Sequence, residues 1–279
     1  MVLSVTPSER WMFCACLALF MPLLAWAGSS KDDADANWRA LINNRPKDVL
    51  RVYDADTAGR EAQLAEGVAI MSMQPATDDN MRRAGEIFVG VAKGDDELAA
   101  QATYLQARLH QLHFQVPDYA QAAQLYQQLA TRQPDSHWAQ LGLVKLAMLK
   151  LYVLNIDAAV GADRLSSAEV LLKRIHEPAL QRDLHLQIGQ AGVVLKQPLP
   201  RILPHLVAAD QAGGISGTAK EDLVVQIGEL SLRAGLLEQS KDYFERYLQT
   251  YPDNLRAYAV ARRLEETNRQ LAVKREAQP

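Results

Sequence analysis

His110 and His113 stand one helical turn apart, with His137 not far beyond, so metal chelation is the first chemistry to weigh. A closed metal site holds three or four nitrogen, sulfur or carboxylate ligands rigidly. His113 precedes a loop, and the two cysteines, Cys14 and Cys16, lie far upstream; histidines on a helix surface are the simpler account, and no metal is assigned. Nucleophilic catalysis comes second, because Ser216 lies in "GGISG" shortly after His205 and Asp210, the side-chain types of a hydrolase triad. An esterase elbow needs Gly-x-Ser-x-Gly between a strand and a helix. Here Gly217 follows the serine directly and no strand-like alternation precedes it, so the stretch is read as a flexible loop with a serine or threonine capping a helix that starts near Ala219. No glycine-rich phosphate loop, dinucleotide fingerprint or acidic metal triad is visible. No catalytic residue, metal or cofactor is therefore expected.

The elements that would position any site are helical. With 48% hydrophobic, 23% charged and only 6% aromatic residues, the 279-residue chain has the profile of a soluble, mostly helical protein. Thirty basic against 33 acidic residues give a net charge of −3, so no global positive field exists to hold a phosphate backbone, and nucleic acid is not expected as a partner.

The first 27 residues differ from the rest. Met12 to Trp26 is an apolar run broken by Pro22, and Ala25-Trp26-Ala27 offers small side chains where a signal peptidase requires them. The run is shorter than the roughly 20 residues that span a bilayer, which favours a signal peptide cleaved after Ala27 over a retained anchor. Against it, the n-region carries Glu9 beside Arg10. Both cysteines fall inside this segment, so the chain beyond Ala27 has neither a disulfide nor thiolate chemistry, as suits export to a bacterial periplasm. Residues 28–36, "GSSKDDADA", read as a mobile leader, and 37–77 as N-terminal helices.

Further along, breakers such as Pro117, Pro134, Pro178, Gly235 and Pro252 separate apolar-periodic runs of about 12 to 20 residues, the usual helix length. Regular punctuation invites a search for repeats. Gln140-Leu141-Gly142, Gln187-Ile188-Gly189 and Gln226-Ile227-Gly228 recur at intervals of 47 and 39 residues. A second signature pairs a small residue with a large one four positions on: Ala84 with Phe88, Ala122 with Tyr126, Ala168 with Leu172, Ser240 with Phe244. Four residues is just over one helical turn, so each pair shares a face on which a neighbouring helix can approach closely.

These residues resemble the tetratricopeptide repeat (TPR). The clearest copy runs from Val224 through Ile227, Gly228, Gly235, Ser240, Phe244 and Tyr247 to Pro252; a second runs from Asp118-Tyr119 through Ala122, Tyr126, Leu129 and Pro134 to Trp138, Leu141 and Gly142. Three features depart from the family's roughly 34-residue period: an extra turn around "QLHFQV", an insertion in "LNIDAAVGADR", and a proline-bent second helix in "KQPLPRILPHLVAAD". The resemblance implies an all-α fold, a right-handed α-solenoid of helical hairpins over residues 78–270 with a C-terminal capping helix from Asp253 and a flexible tail at 271–279.

In that family the first helix of each repeat lines a concave groove, which places Gln140, Gln187 and Gln226 along it, with Leu143, Gln190, Glu229 and Arg233 one or two turns further on. A ladder of amides can hydrogen-bond an extended peptide backbone, although glutamine is also simply a good polar helix former. The family's carboxylate-gripping lysines and asparagines are replaced here by Ala139, Leu186 and Val225, then Leu143, Gln190 and Glu229, which points to a more apolar or neutral ligand. The expectation is an exported, non-enzymatic adaptor or assembly factor of a bacterial cell envelope, binding a protein or peptide segment and spanning no membrane once the signal is removed. The alternative is an envelope enzyme or accessory subunit on a helical scaffold: Gly235-Leu236-Leu237-Glu238 is similar to a glycine-leucine motif of lytic transglycosylases. That family's catalytic unit is a separate lysozyme-like domain, for which no segment is left.

Overall fold

The computed structural model describes residues 31–52, 59–154 and 163–277, with side chains from Asp35 onward. The expected signal segment lies outside them. Among the described residues the chain is all-α, with thirteen α-helices, one π-helical turn and no strand. Two N-terminal helices, α1 (Lys31–Ile42) and α2 (Pro46–Val52), are followed by five successive hairpins. These are α3 (Arg60–Ser72) with α4 (Asp78–Val91), α5 (Glu97–Arg108) with α6 (Tyr119–Arg132), and α7 (His137–Tyr152) with α8 (Arg164–Leu172). Then come α9 (Pro178–Val194) with α10 (Leu199–Gln211), and α11 (Gly217–Arg233) with α12 (Leu237–Thr250); α13 (Ala257–Glu276) ends the array.

Local chemistry sets the starts. Thr77, Asp96, Asp118, Ser136 and Asp163 each accept a hydrogen bond from a backbone N–H of the first turn they precede, opening α4 to α8. Each such cap contributes about 1 kcal/mol. Pro178 and Pro200 sit in first turns, where the missing N–H costs nothing, and α10 continues helically through Pro204. Gly235, at φ +72°, makes the turn between α11 and α12.

Packing is local in sequence. Every helix contacts the next, and the odd-numbered helices also touch one another: α1 with α3, α3 with α5, α5 with α7, α7 with α9, and α11 with α13. Within hairpins, a glycine on the odd helix receives a large side chain from the even one: Gly67 meets Phe88, Gly189 meets Leu206 and Gly228 meets Phe244. Ala84, Ala122, Ala168 and Ser240 are fully buried, as the small-then-large spacing requires. Phe88, Tyr126, Phe244 and Tyr247 are buried too, each burial contributing roughly 1.5–3 kcal/mol. Polar staples join neighbouring hairpins at their loops: Arg132 donates to the carbonyl oxygens of Ala92 and Gly94, Arg174 to that of Ala130, and Arg60 holds Asp96 and the Val91 carbonyl.

Three boundaries differ from the sequence expectation. Helix α1 begins at Lys31, inside the stretch read as leader, with Asp35 and Arg39 paired one turn apart. The Gly67–Phe88 contact makes α3 and α4 a hairpin like the others, so the array starts at Arg60 rather than 78. Helix α13 continues to Glu276 because Leu271 still packs inward. The extra residues near "QLHFQV" form the π-helical turn Leu109–His113, which carries buried Gln111 to accept a hydrogen bond from the buried Tyr126 hydroxyl at 2.8 Å. Most of the insertion proposed for "LNIDAAVGADR", residues 155–162, lies outside the described residues.

Candidate partner-binding face

Gln140 and Leu143, nominated as groove residues, sit inside the protein. Gln140 is 2% exposed: its Nε2 donates to the carbonyl oxygens of Pro134 (2.7 Å) and Arg174 (3.2 Å), and its Oε1 accepts from the His176 N–H (2.7 Å). It is a clamp between the α6–α7 and α8–α9 loops, with its amide satisfied by backbone and nothing left for a partner. Leu143 is 1% exposed and belongs to the central apolar cluster. The other five nominated residues stand on odd helices and reach solvent. Gln190 and Arg233 are exposed; Gln187, Gln226 and Glu229 are half-buried.

Exposure along the odd helices follows a helical stripe. On α7, Trp138, Leu141, Lys145, Met148 and Tyr152 all remain partly exposed at intervals of three and four, while the residues between them are mostly buried. Similar spacing relates Asp183, Gln187, Gln190 and Val194 on α9, and Asp222, Gln226, Glu229 and Arg233 on α11, although these two stripes pass through the glutamine of the repeated string and that of α7 through Leu141. Cross-helix bonds show which stripes adjoin. The Tyr152 hydroxyl donates to the Gln187 carbonyl at 3.2 Å, joining α7 to α9; burial pushes this phenol's pKa up, so it stays a donor at neutral pH. Arg263 Nε donates to Glu229 at 2.9 Å, and Arg256 pairs with Asp222, joining α11 to α13. The face thus has two characters: mostly apolar and amide on α7 and α9, with Lys145 and Asp183 the charged members and Val194 72% exposed, and densely charged on α11 and α13. Sequence reasoning missed Tyr152, Met148 and Arg263; α7 is apolar nearly all round, so residue type gave no signal for which of its faces stays exposed.

The other nominated chemistry is dispersed. His110 packs on Phe114, His113 is largely buried beside Arg108, and His137 pairs with Glu177, so the three do not converge. Among the described residues no group of three or more His, Cys, Asp or Glu is placed to hold a metal ion. Ser216 is the exposed N-cap of α11, whose first residue is Gly217 rather than one near Ala219, and its side chain makes no capping bond. His205 bonds His185, and Asp210 is buried among Lys220, Tyr243 and Arg246. Glu238 is exposed and pairs with Arg275, in no cleft. No helix of the described residues is long and apolar enough to cross a membrane. Compared with known protein families and with curated proteins, the chain matches none.

Proposed function

We propose that the hairpins form a right-handed α-solenoid of TPR type, exported across the bacterial inner membrane behind the apolar segment at 12–26. In this reading the protein is a non-enzymatic adaptor or assembly factor of the cell envelope, and the odd-helix face is where a partner segment binds. One observation supports it: partly exposed residues recur at intervals of three and four along α7, α9 and α11, with Tyr152–Gln187 joining α7 to α9 and Glu229–Arg263 joining α11 to α13. Stripes left unburied on packed helices are surfaces that a further chain can cover. The partner is a protein segment with an apolar part for α7 and α9 and a charged part for α11 and α13. The test is capture of envelope proteins on the purified chain, identified by mass spectrometry, with Met148→Asp and Gln190→Asp together. Retained helical circular dichroism with at least tenfold weaker capture supports the reading; equal capture of the same proteins by both chains sinks it.

A further inference from the structure

Away from the odd-helix stripes, a dense charge cluster forms where α10, α11 and α12 meet. The Asp210 side chain is 1% exposed. One of its oxygens accepts from Lys220 Nζ; the other accepts from Arg246 Nη2 at 2.8 Å and from the Tyr243 hydroxyl at 3.0 Å. Burial alone would raise the pKa of this carboxyl, yet the hydrogen bonds from Lys220 and Arg246 hold it below the usual carboxylate range. It is an anion with two cations committed to it, so the cluster keeps one positive charge in excess. Of the neighbouring acids, Asp222 pairs with Arg256 and Glu245 with Lys241, whereas Glu221 accepts only from the neutral Asn254 and keeps its charge, so the positive excess belongs to the Asp210, Lys220 and Arg246 trio alone.

The excess charge borders an empty space. Lys220 and Arg246 line a cavity of about 80 Å³ together with Val224, Thr250 and Tyr251. Arg246 lies over the Tyr243 ring at 4.3 Å, which fixes its plane, and its Nε and Nη1 make no hydrogen bond among the described residues. Lys220 uses one of its three N–H donors on Asp210. One cation suffices to neutralise a buried carboxylate; the Lys220 and Arg246 side chains are 26% and 44% exposed, so their unused donors are open to a further acceptor. The space is far below the roughly 300–1,000 Å³ of ordinary small-molecule pockets, so it admits a single group and not a whole cofactor.

We propose that this cavity is an oxyanion site, taking one carboxylate or phosphate group between Lys220 and Arg246. Val224 and Tyr251 line it beside the two cations, and both bonds to the group would be charge-assisted. The anion comes either from an acidic side chain or chain terminus of a protein, or from a small phosphorylated molecule. Lys220 and Val224 belong to α11 but not to its Asp222, Gln226, Glu229 and Arg233 stripe, and Asp210 and Arg246 belong to α10 and α12.

The experiment follows the Arg246 Nε–H resonance by nuclear magnetic resonance on the whole chain, titrating sodium phosphate and sodium acetate against sodium chloride at matched ionic strength. A saturable shift with phosphate or acetate, half-complete at about millimolar concentration, is expected and absent with chloride. A tighter response to acetate assigns a protein carboxylate, and a tighter response to phosphate a phosphorylated ligand. Lys220→Gln leaves Asp210 paired with Arg246 and Tyr243, so it folds, and binds about tenfold more weakly. Asp210→Asn frees both cations and binds about tenfold more tightly; where that variant fails to fold, Lys220→Gln alone decides. Shifts no larger than those with chloride, or unchanged affinity in Lys220→Gln, overturn the proposal.

Discussion

Gly228 lies against the ring of Phe244 so closely that a Cβ on the glycine would come within 2.5 Å of Cε1. Gly67 stands in the same relation to Phe88, again at 2.5 Å, two ends of the array built by one device. Both rings are fully buried and cannot swing away without opening a void. Gly228→Ala and Gly67→Ala should each lower stability by about 1–3 kcal/mol in urea denaturation. Gly90→Ala, on α4 where nothing lies within 4 Å, should instead raise it by about 0.5–1 kcal/mol. A loss at Gly90 equal to that at Gly228 would mean that backbone freedom, not ring clearance, governs these positions.

Much of this was legible in the chain. The small-then-large pairs named residues that packing buries, all but Leu172 fully, whereas the one cap read from the sequence, at "GGISG", makes no capping bond. What could not be read was which member of a repeated string faces out. Gln140, Gln187 and Gln226 occupy equivalent strings, but the fate of Gln140 is set by the Arg174 carbonyl and the His176 N–H, 34 and 36 residues downstream. Helical periodicity reports neighbours one turn away and is silent on such loops. The glycine-to-ring contact of α3 and α4 stayed hidden for a related reason: Gly67 and Phe88 are 21 residues apart across a hairpin whose turn, "QPATDDN", shows no repeat signature.

The two kinds of glutamine predict different outcomes for one substitution. Gln140→Met keeps the volume but leaves two carbonyls and one N–H of the flanking loops without their partner, at a cost of about 1–3 kcal/mol. Gln226→Met, on the half-exposed stripe of α11, should stay within about 0.5 kcal/mol of the parent. Thermal unfolding of the two variants side by side checks the contrast.

Asp96 does two jobs that substitutions can separate. It caps α5 through the Ala99 N–H at 2.9 Å and receives Arg60 from α3, and the Arg60 hydrogen bond is the main reason its carboxyl lies below the usual range. Asp96→Asn keeps a capping oxygen and loses the charge, whereas Asp96→Ala loses both and should cost about 1 kcal/mol more. Equal losses would show the cap contributes nothing at this start.

Acid should weaken the fold in two separate windows. Burial, with Arg108 adding repulsion, lowers the His113 pKa from 6.5 to about 4, and burial likewise lowers His185 and His205, whose Nδ1 atoms face each other at 3.0 Å. One proton serves that contact; a second would set two N–H donors against each other. Because the folded values lie below the unfolded one, the unfolded chain takes up protons first as pH falls below about 6.5. Stability is therefore full above that pH and declines toward pH 4, with His113 contributing up to about 3 kcal/mol of the loss. A second decline begins near the ordinary carboxylate value of 3.8, where the unfolded chain's aspartates take up protons, and continues until Asp96 and Asp210, held lower by their cations, are protonated in the fold. Urea midpoints measured from pH 7.5 to 4 should fall steadily in the parent and more gently in His113→Leu. Parallel slopes for the two chains would exclude His113 as a source of the acid sensitivity.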